Sequence, residues 1–357
     1  MSNAWATRYF LGANSKNGFY SLYDGFTDPG AGDFLCVIKG GPGCGKSTFM
    51  KRVGAAAERA GEPVEYILCS GDPDSLDGVY LPERHVAYVD GTAPHVIECA
   101  YPGAQSRYLD LSRFLDTGAL KESLPELMSL NQRYKALYQA AYARLSAGAA
   151  LLEKNRPPLW DDAAEMKLEK RLRGLASREL PRAGGKGKLT RRFLSAWSCQ
   201  GHLTLEETLH TLCERVCALD NAYGLGHLFL ERFAALALER GCSVILCPDP
   251  LEPEKPEALL LPERSLALVA VDRNTALRTP PDRRIHLDAL VDRELLREKH
   301  RELRQCRKES ALLLSSAVDA LSEAKALHDE LELCYRGHVD FDGVTACAQE
   351  HIRRLFA

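Results

Sequence analysis

FLCVIKGGPGCGKSTFM, Phe34 to Met50, reads as a strand, a glycine loop and the start of a helix, in that order. The apolar run Phe34 to Ile38 predicts a buried parallel strand. Gly40-Gly41-Pro42-Gly43-Cys44-Gly45-Lys46-Ser47 follows and fits the spacing G-x-x-x-x-G-K-[ST]. From Ser47 to Ala60 the spacing turns helical, with Phe49, Met50 and Val53 on one side. Gly61 stands where a C-terminal capping glycine belongs.

These residue types in this order suit a nucleoside triphosphate. Glycines let the backbone approach the phosphates and turn successive N–H groups inward. The helix N-terminus adds a positive pole. The expected nucleotide-binding set is Gly40, Gly41, Pro42, Gly43, Cys44, Gly45, Lys46, Ser47 and Thr48. Lys46 reaches the β- and γ-phosphates, the Ser47 hydroxyl ligates Mg²⁺, and Thr48 supports it.

Outward from that stretch, the chain has 357 residues, enough for two domains with cores of their own. It is 45 % hydrophobic and 27 % charged, a globular balance. A net charge of −3 argues against a nucleic-acid binder that works by bulk attraction. No apolar run reaches membrane-spanning length, and Met1 to Ala4 opens no signal peptide, so no membrane partner and a cytoplasmic location are expected. The twelve cysteines contain no C-x-x-C pair and read as reduced thiols; Cys213 and Cys217 share a helix face without completing a zinc set. Cys44 is set apart by its place in the loop. A helix N-terminus lowers a thiol pKa, which makes Cys44 a candidate for oxidative inactivation.

The chain repeats itself. Thr7 to Leu11 recurs as Thr190 to Leu194, Ile67-Leu68-Cys69 as Ile245-Leu246-Cys247, and Leu81 to Arg84 unchanged as Leu261 to Arg264. The expected fold is α/β, with two tandem P-loop NTPase-like parallel-sheet domains, residues 1–182 and 189–357. Each carries a helical extension, over about 117–180 and 288–357. An ungapped alignment sets Asp220 to Phe229 against Lys39 to Thr48, with His227 at the lysine position and Leu228 at the hydroxyl position. Neither residue neutralises a γ-phosphate or holds Mg²⁺, so the second domain reads as degenerate.

Two further stretches bear on the first-half site. Ser70 to Gly78 holds Asp72, Asp74 and Asp77. Its acids suit Mg²⁺ coordination, with Asp72 as the metal candidate, or positioning of an attacking water, with Asp74 as the catalytic candidate. Asp-Pro and Asp-Gly turn chemistry explains the same composition, and the second half keeps acids at Glu252, Glu254 and Glu257. The strand Val86 to Val89 ends in Asp90, the pattern of a Mg²⁺ carboxylate, and Ala270 holds its place in the second half. His95 is a candidate γ-phosphate contact or a structural histidine. If the strands are parallel, all three loops open on one sheet edge.

Leu127, Leu130, Tyr134, Leu137, Tyr138 and Ala141 predict an amphipathic helix, Pro157-Pro158 a break, and Leu290 to Leu333 a second long helix. The two hairpins pack together, form a lid or serve a protein partner. Lys167 to Arg192 holds ten Lys or Arg against two Glu and contains the linker-like Gly184 to Lys188. It reads as a solvated helix end, a basic lid, or a polyphosphate or nucleic-acid contact.

The combination KGGPGCGKST, CSGDPDSLDG and LPERHVAYVDGTAPH, repeated in weaker form, resembles a bacterial family of tandem P-loop ATP-binding proteins. These are described as ATPases or nucleotide kinases without an assigned cellular role. The resemblance implies ATP and Mg²⁺ binding through Gly40 to Thr48, with Asp90 and the Asp72–Asp77 loop nearby. This chain departs from the family pattern in its second loop and in having Cys44 where threonine is common. The leading expectation is an Mg²⁺-dependent ATPase with Lys46, Asp90 and Asp74 as its catalytic residues and Ser47, Asp90 and Asp72 around the metal. A nucleotide or small-molecule kinase, with Arg84 and Arg107 as lid candidates, is the alternative. A non-enzymatic ATP-gated interaction protein is the third reading.

Overall fold

The computed structural model describes residues 5–93, 96–154, 161–181 and 184–357. His95 and the Pro157-Pro158 break lie outside the described residues. The first half opens with β1 (Ala6–Phe10) and a hairpin of β2 (Gly12–Ser15) and β3 (Gly18–Ser21). Then come β4 (Phe34–Lys39), α1 (Lys46–Arg59), β5 (Val64–Leu68), β6 (Leu76–Leu81), β7 (Val86–Asp90) and β8 (Ser106–Asp110). A short α2 (Thr117–Leu120), the long α3 (Leu124–Lys154) and α4 (Asp162–Glu179) lead onward.

The plan then returns. β9 (Leu189–Arg191), the hairpin of β10 (Ser195–Ser198) and β11 (Gly201–Thr204), and α5 (Glu206–Leu212) precede β12 (Arg215–Asp220) and α6 (Leu225–Glu239). β13 (Val244–Pro248), β14 (Pro256–Leu261), β15 (Leu266–Val271) and β16 (Arg283–Ile285) complete the second sheet. α7 (Arg293–Arg336) and α8 (Phe341–Phe356) end the chain.

Both sheets have six strands in the same order, β1-β5-β6-β7-β4-β8 and β9-β13-β14-β15-β12-β16. They are mixed, which corrects the expected parallel sheets. β6 runs antiparallel to β5 and β7, and β14 to β13 and β15. The connection Cys69 to Ser75 is too short for a parallel crossover, which needs roughly a dozen residues or more. Because β6 is reversed, β5, β7 and β4 still point the same way, and the loops after them share one edge.

The halves meet at equivalent residues. Phe10 and Phe193, matched in the repeat, exchange backbone hydrogen bonds of 2.9 Å. That reciprocity implies an approximate twofold relation between the sheets. Phe193 and Ala196 are buried in the same cluster as Phe10, Phe49 and Tyr88, so the first sheet's core includes second-half residues.

The helical extensions are exchanged. α3 and α7 run antiparallel along one seam: Leu145 and Ala149 pack with Leu314 and Ala317, and Leu127 and Leu130 with Leu327 and Leu331. Ser310 donates to the Gly148 carbonyl within it. α4, expected with the first half, buries Leu168, Leu172 and Leu175 against Phe229, Leu230 and Phe233 of α6. α8, from the second half, buries Val344, Cys347 and Ala348 against α1 and the first sheet. Burial of a valine-sized side chain is worth about 1.5–3 kcal/mol, so each sheet draws part of its stability from the other half's helix. The boundary between 182 and 189 divides the repeats but not the cores. Among the described residues no helix is long and apolar enough to cross a membrane.

Candidate functional site

β4 and β7 pair in parallel with Ile38 opposite Asp90, which brings the end of β7 beside the glycine loop. Gly43 and Gly45 adopt φ of 65° and 91°, left-handed values that a side chain would strain. α1 starts at Lys46 directly after Gly45. Lys46 Nζ donates to the Gly40 and Gly41 carbonyls at 3.0 and 2.9 Å and stands 3.6 Å from an Asp90 carboxylate oxygen. The other Asp90 oxygen accepts from the Thr92 N–H and hydroxyl at 2.9 and 2.6 Å. Ser47 Oγ accepts from the Leu76 N–H at 3.0 Å. Lys46 opens the helix beside this carboxylate with Ser47 next to it in α1, while Thr48 is exposed. Pro42 is half-buried in the same loop.

Cys44 differs from expectation. Its side chain is buried, with the sulfur beside Gly40, where a Cβ would strike it. Burial pushes its thiol pKa up, against the opposing pull of Lys46. Desolvation disfavours the thiolate more than the helix end and the lysine favour it, so the lowered pKa inferred from loop position is wrong.

The acidic loop divides into different roles. Asp77 is buried and accepts from the Tyr23 hydroxyl at 3.0 Å. Glu257, its counterpart on β14, is likewise buried and accepts from Ser195 Oγ, so this position is an internal anchor in both halves. Asp72 accepts from the Ser75 hydroxyl at 2.9 Å and pairs with Lys325 of α7 at 3.5 Å. Asp74 is exposed and accepts from Gln200 Nε2 at 3.1 Å. Among the described residues, neither Asp72 nor Asp74 is bonded to Lys46, Ser47 or Asp90.

The arginines proposed for an acceptor lid lie elsewhere. Arg84 precedes β7, at the opposite sheet edge, and pairs with Glu62. Arg107 lies within β8, opposite Cys36, and faces His351 of α8.

The second half covers the loop, which local sequence did not reveal. A Cβ at Gly41 would stand 3.0 Å from the Tyr335 ring, at Gly43 3.0 Å from the Glu332 carbonyl, and at Gly45 3.3 Å from Val344. The amphipathic pattern from Leu290 to Leu333 announces a helix, but nothing in it points to the partner loop.

The second-half counterpart needs a corrected alignment. Phe34 lies opposite Val86 and Arg215 opposite Leu266, which equates β4 with β12 and Asp90 with Ala270. The buried helix residues Phe49, Met50 and Val53 match Phe229, Leu230 and Phe233. The connection is therefore one residue shorter, and Lys46 corresponds to Gly226 and Ser47 to His227. Two contacts agree. A Cβ at Gly226 would stand 3.1 Å from Ala270 Cβ, where the first half has Lys46 beside Asp90. His227 Nδ1 donates to the carbonyl of Pro256 at the start of β14, as Ser47 meets Leu76 at the start of β6. In this loop the chain's own carboxylate, Asp288, accepts from the Ala222 N–H at 3.3 Å. Burial, with Asp220 nearby, pushes the Asp288 carboxyl up to about 6.

The basic run has several fates. Arg192 is buried, pairs with Glu65 at 2.7 Å and donates to the Gly25 and Phe26 carbonyls. Lys188 pairs with Asp28, and the α4 cations remain at the surface.

No protein-family model, curated protein or solved structure matches the chain.

Proposed function

We propose that the first half is a P-loop NTPase that binds ATP with Mg²⁺ and hydrolyses it, and that the second half lacks the chemistry and acts structurally. The observation that carries this reading is the ion pair of Lys46 with Asp90 beside a glycine loop with two left-handed glycines, with Ser47 next to Lys46 on the first turn of α1. Lys46 would exchange its bonds to the Gly40 and Gly41 carbonyls for phosphate oxygens, a charge-assisted contact. The helix N-terminus and loop amides would stabilise charge that develops in phosphoryl transfer. Ser47 Oγ and the Asp90 oxygen facing Lys46 suit a hard cation, since both are oxygen donors and both residues are only partly buried. Mg²⁺, bound with the nucleotide, would neutralise part of the triphosphate charge. Asp72 and Asp74, in the loop that leads to Leu76 against Ser47, would be the candidates for orienting water.

A second reading is favoured by the helix cover. Glu332, Tyr335 and Val344 stand within 3.3 Å of where a Cβ on the loop glycines would be, so nucleotide occupancy and the position of α7 and α8 would act on each other. Such a protein would use ATP as a gate for a protein partner.

The test is phosphate release from ATP and Mg²⁺ by the wild type and by Lys46→Ala, with a metabolite pool added in parallel. Loss of the lysine should weaken nucleotide binding by about 1.5–3 kcal/mol, roughly ten- to 150-fold, and abolish release. Release that persists in the variant would refute the site. Release that requires the pool would mark a kinase, and tight binding without turnover the gate.

A further inference from the structure

The geometry points to a separate site in the second half for a compact polyphosphate anion, in the basic cavity between α4 and β16. The cavity has a volume of about 540 Å³, which falls in the range of small-ligand sites. Two stretches distant in sequence build it. α4 contributes Lys167, Lys170, Arg171 and Arg178, at spacings that place them along one helix face. β16 contributes Arg283 and Arg284. The floor is apolar, from Leu175, Ile285 and Leu290.

Cations crowded this way repel one another, and the cost stays with the fold until an anion offsets it. Two of the six are tethered. Arg171 donates to the His286 carbonyl at 2.6 Å, and Arg284 to the Asp220 carboxylate at 2.6 Å. Among the described residues, Lys167, Lys170, Arg178 and Arg283 form no ion pair. Of the acids nearest in sequence, Glu169 is paired with Arg232 and Glu179 with Arg215, and Asp282 accepts from the Val216 N–H at 2.7 Å. Among the described residues, the other four line the cavity with no ion pair of their own.

Gly174 is an independent observation. A glycine inside a helix costs about 1 kcal/mol relative to alanine. No atom stands within 4 Å of a Cβ built at Gly174, so close packing does not require it. It lines the cavity, and its lack of a side chain keeps the cavity open.

The chemistry selects the ligand class. Guanidinium groups match phosphate oxygens in pairs. The residues that line it include no Phe, Tyr or Trp, and the His286 imidazole is turned to the Asp220 carboxylate at 3.3 Å. The α4 cations run along about 16 Å of helix, and Arg283 of β16 lines the same cavity, so the charge borders one concavity and does not continue as an open track. Inorganic polyphosphate and the phosphate tail of a nucleotide share this chemistry. The site is separate from the glycine loop and does not rest on ATP hydrolysis there.

The test is calorimetric titration of the full chain with inorganic tripolyphosphate, without Mg²⁺, alongside ATP and a single-stranded RNA oligomer. The comparison uses wild type, Lys46→Ala, the double variant Arg178→Glu/Arg283→Glu, and Gly174→Met. Saturable tripolyphosphate binding should survive Lys46→Ala and weaken more than about tenfold in the double variant. Gly174→Met fills the cavity without changing charge, favours the helix, and should weaken binding as well. ATP bound to Lys46→Ala and lost in the cavity variants would identify a nucleotide tail, and tripolyphosphate alone a free polyphosphate. Binding that vanishes with Lys46→Ala, or that both cavity variants retain, would overturn the site. RNA bound more tightly than tripolyphosphate would overturn the compact ligand.

Discussion

His351 offers a measurable link between charge and the exchange of helices. It lies on α8 and is buried between Tyr88 and Phe49 of the first half. Its Nδ1 accepts from the Tyr88 hydroxyl at 3.0 Å and from an Arg107 guanidinium N–H at 3.3 Å. The Arg107 bond requires Nδ1 to be unprotonated, because a guanidinium only donates, and the Tyr88 hydroxyl is then the donor in its bond. Burial first, and then the Arg107 charge, push the imidazole down to about 4. The unfolded chain has the ordinary value of about 6.5 and takes up its proton at higher pH. The stability linked to this group is therefore complete above about pH 6.5 and is lost as pH falls toward 4. Between pH 7 and 4.5 the linkage amounts to about 2 kcal/mol. Urea unfolding followed by far-ultraviolet circular dichroism, on wild type and His351→Gln, measures it. Glutamine keeps an acceptor for Tyr88 and Arg107 but does not titrate, so the wild type should lose about 2 kcal/mol more than the variant over this range. Parallel pH profiles for the two proteins would refute the reasoning.

Leu314→Ala should cost about 2–5 kcal/mol, because Leu314 is buried in the α3–α7 seam against Gly148. That seam joins both halves, so calorimetry should show one transition moving as a unit; a split in which one half keeps its melting temperature would count against shared cores. Cys44 should resist iodoacetamide in the native protein, since burial raises its thiol pKa. Mass spectrometry should find Cys44 unmodified until denaturant is added, and rapid native labelling would restore the oxidation hypothesis.

Local chemistry was legible in the sequence. The strand, glycine loop and helix from Phe34 to Ala60 are written in adjacent residues, and Asp90 is legible as the end of an apolar run. The repeat was legible because equivalent segments kept their spacing. A change of one residue between β12 and α6 was not. It leaves hydrophobic patterning unchanged and shows only in which side chains meet: Gly226 beside Ala270, and His227 against Pro256. The charge of Cys44 was misread for a related reason, since burial is a property of the packed loop and not of its letters. Which loop acids are anchors and which are exposed likewise depends on partners such as Tyr23, Gln200 and Lys325, each remote in the chain.

By itself, then, the sequence determined the α/β plan, the doubled architecture and the glycine loop, because periodicity and motif spacing act over a few residues. Only the tertiary structure decided that β6 and β14 are reversed, that α4 and α8 change places, that α7 covers the loop, and that α4 and β16 gather their cations into one cavity. Those outcomes depend on contacts between residues far apart in the chain, where burial and charge pairing, not local propensity, set the free energy.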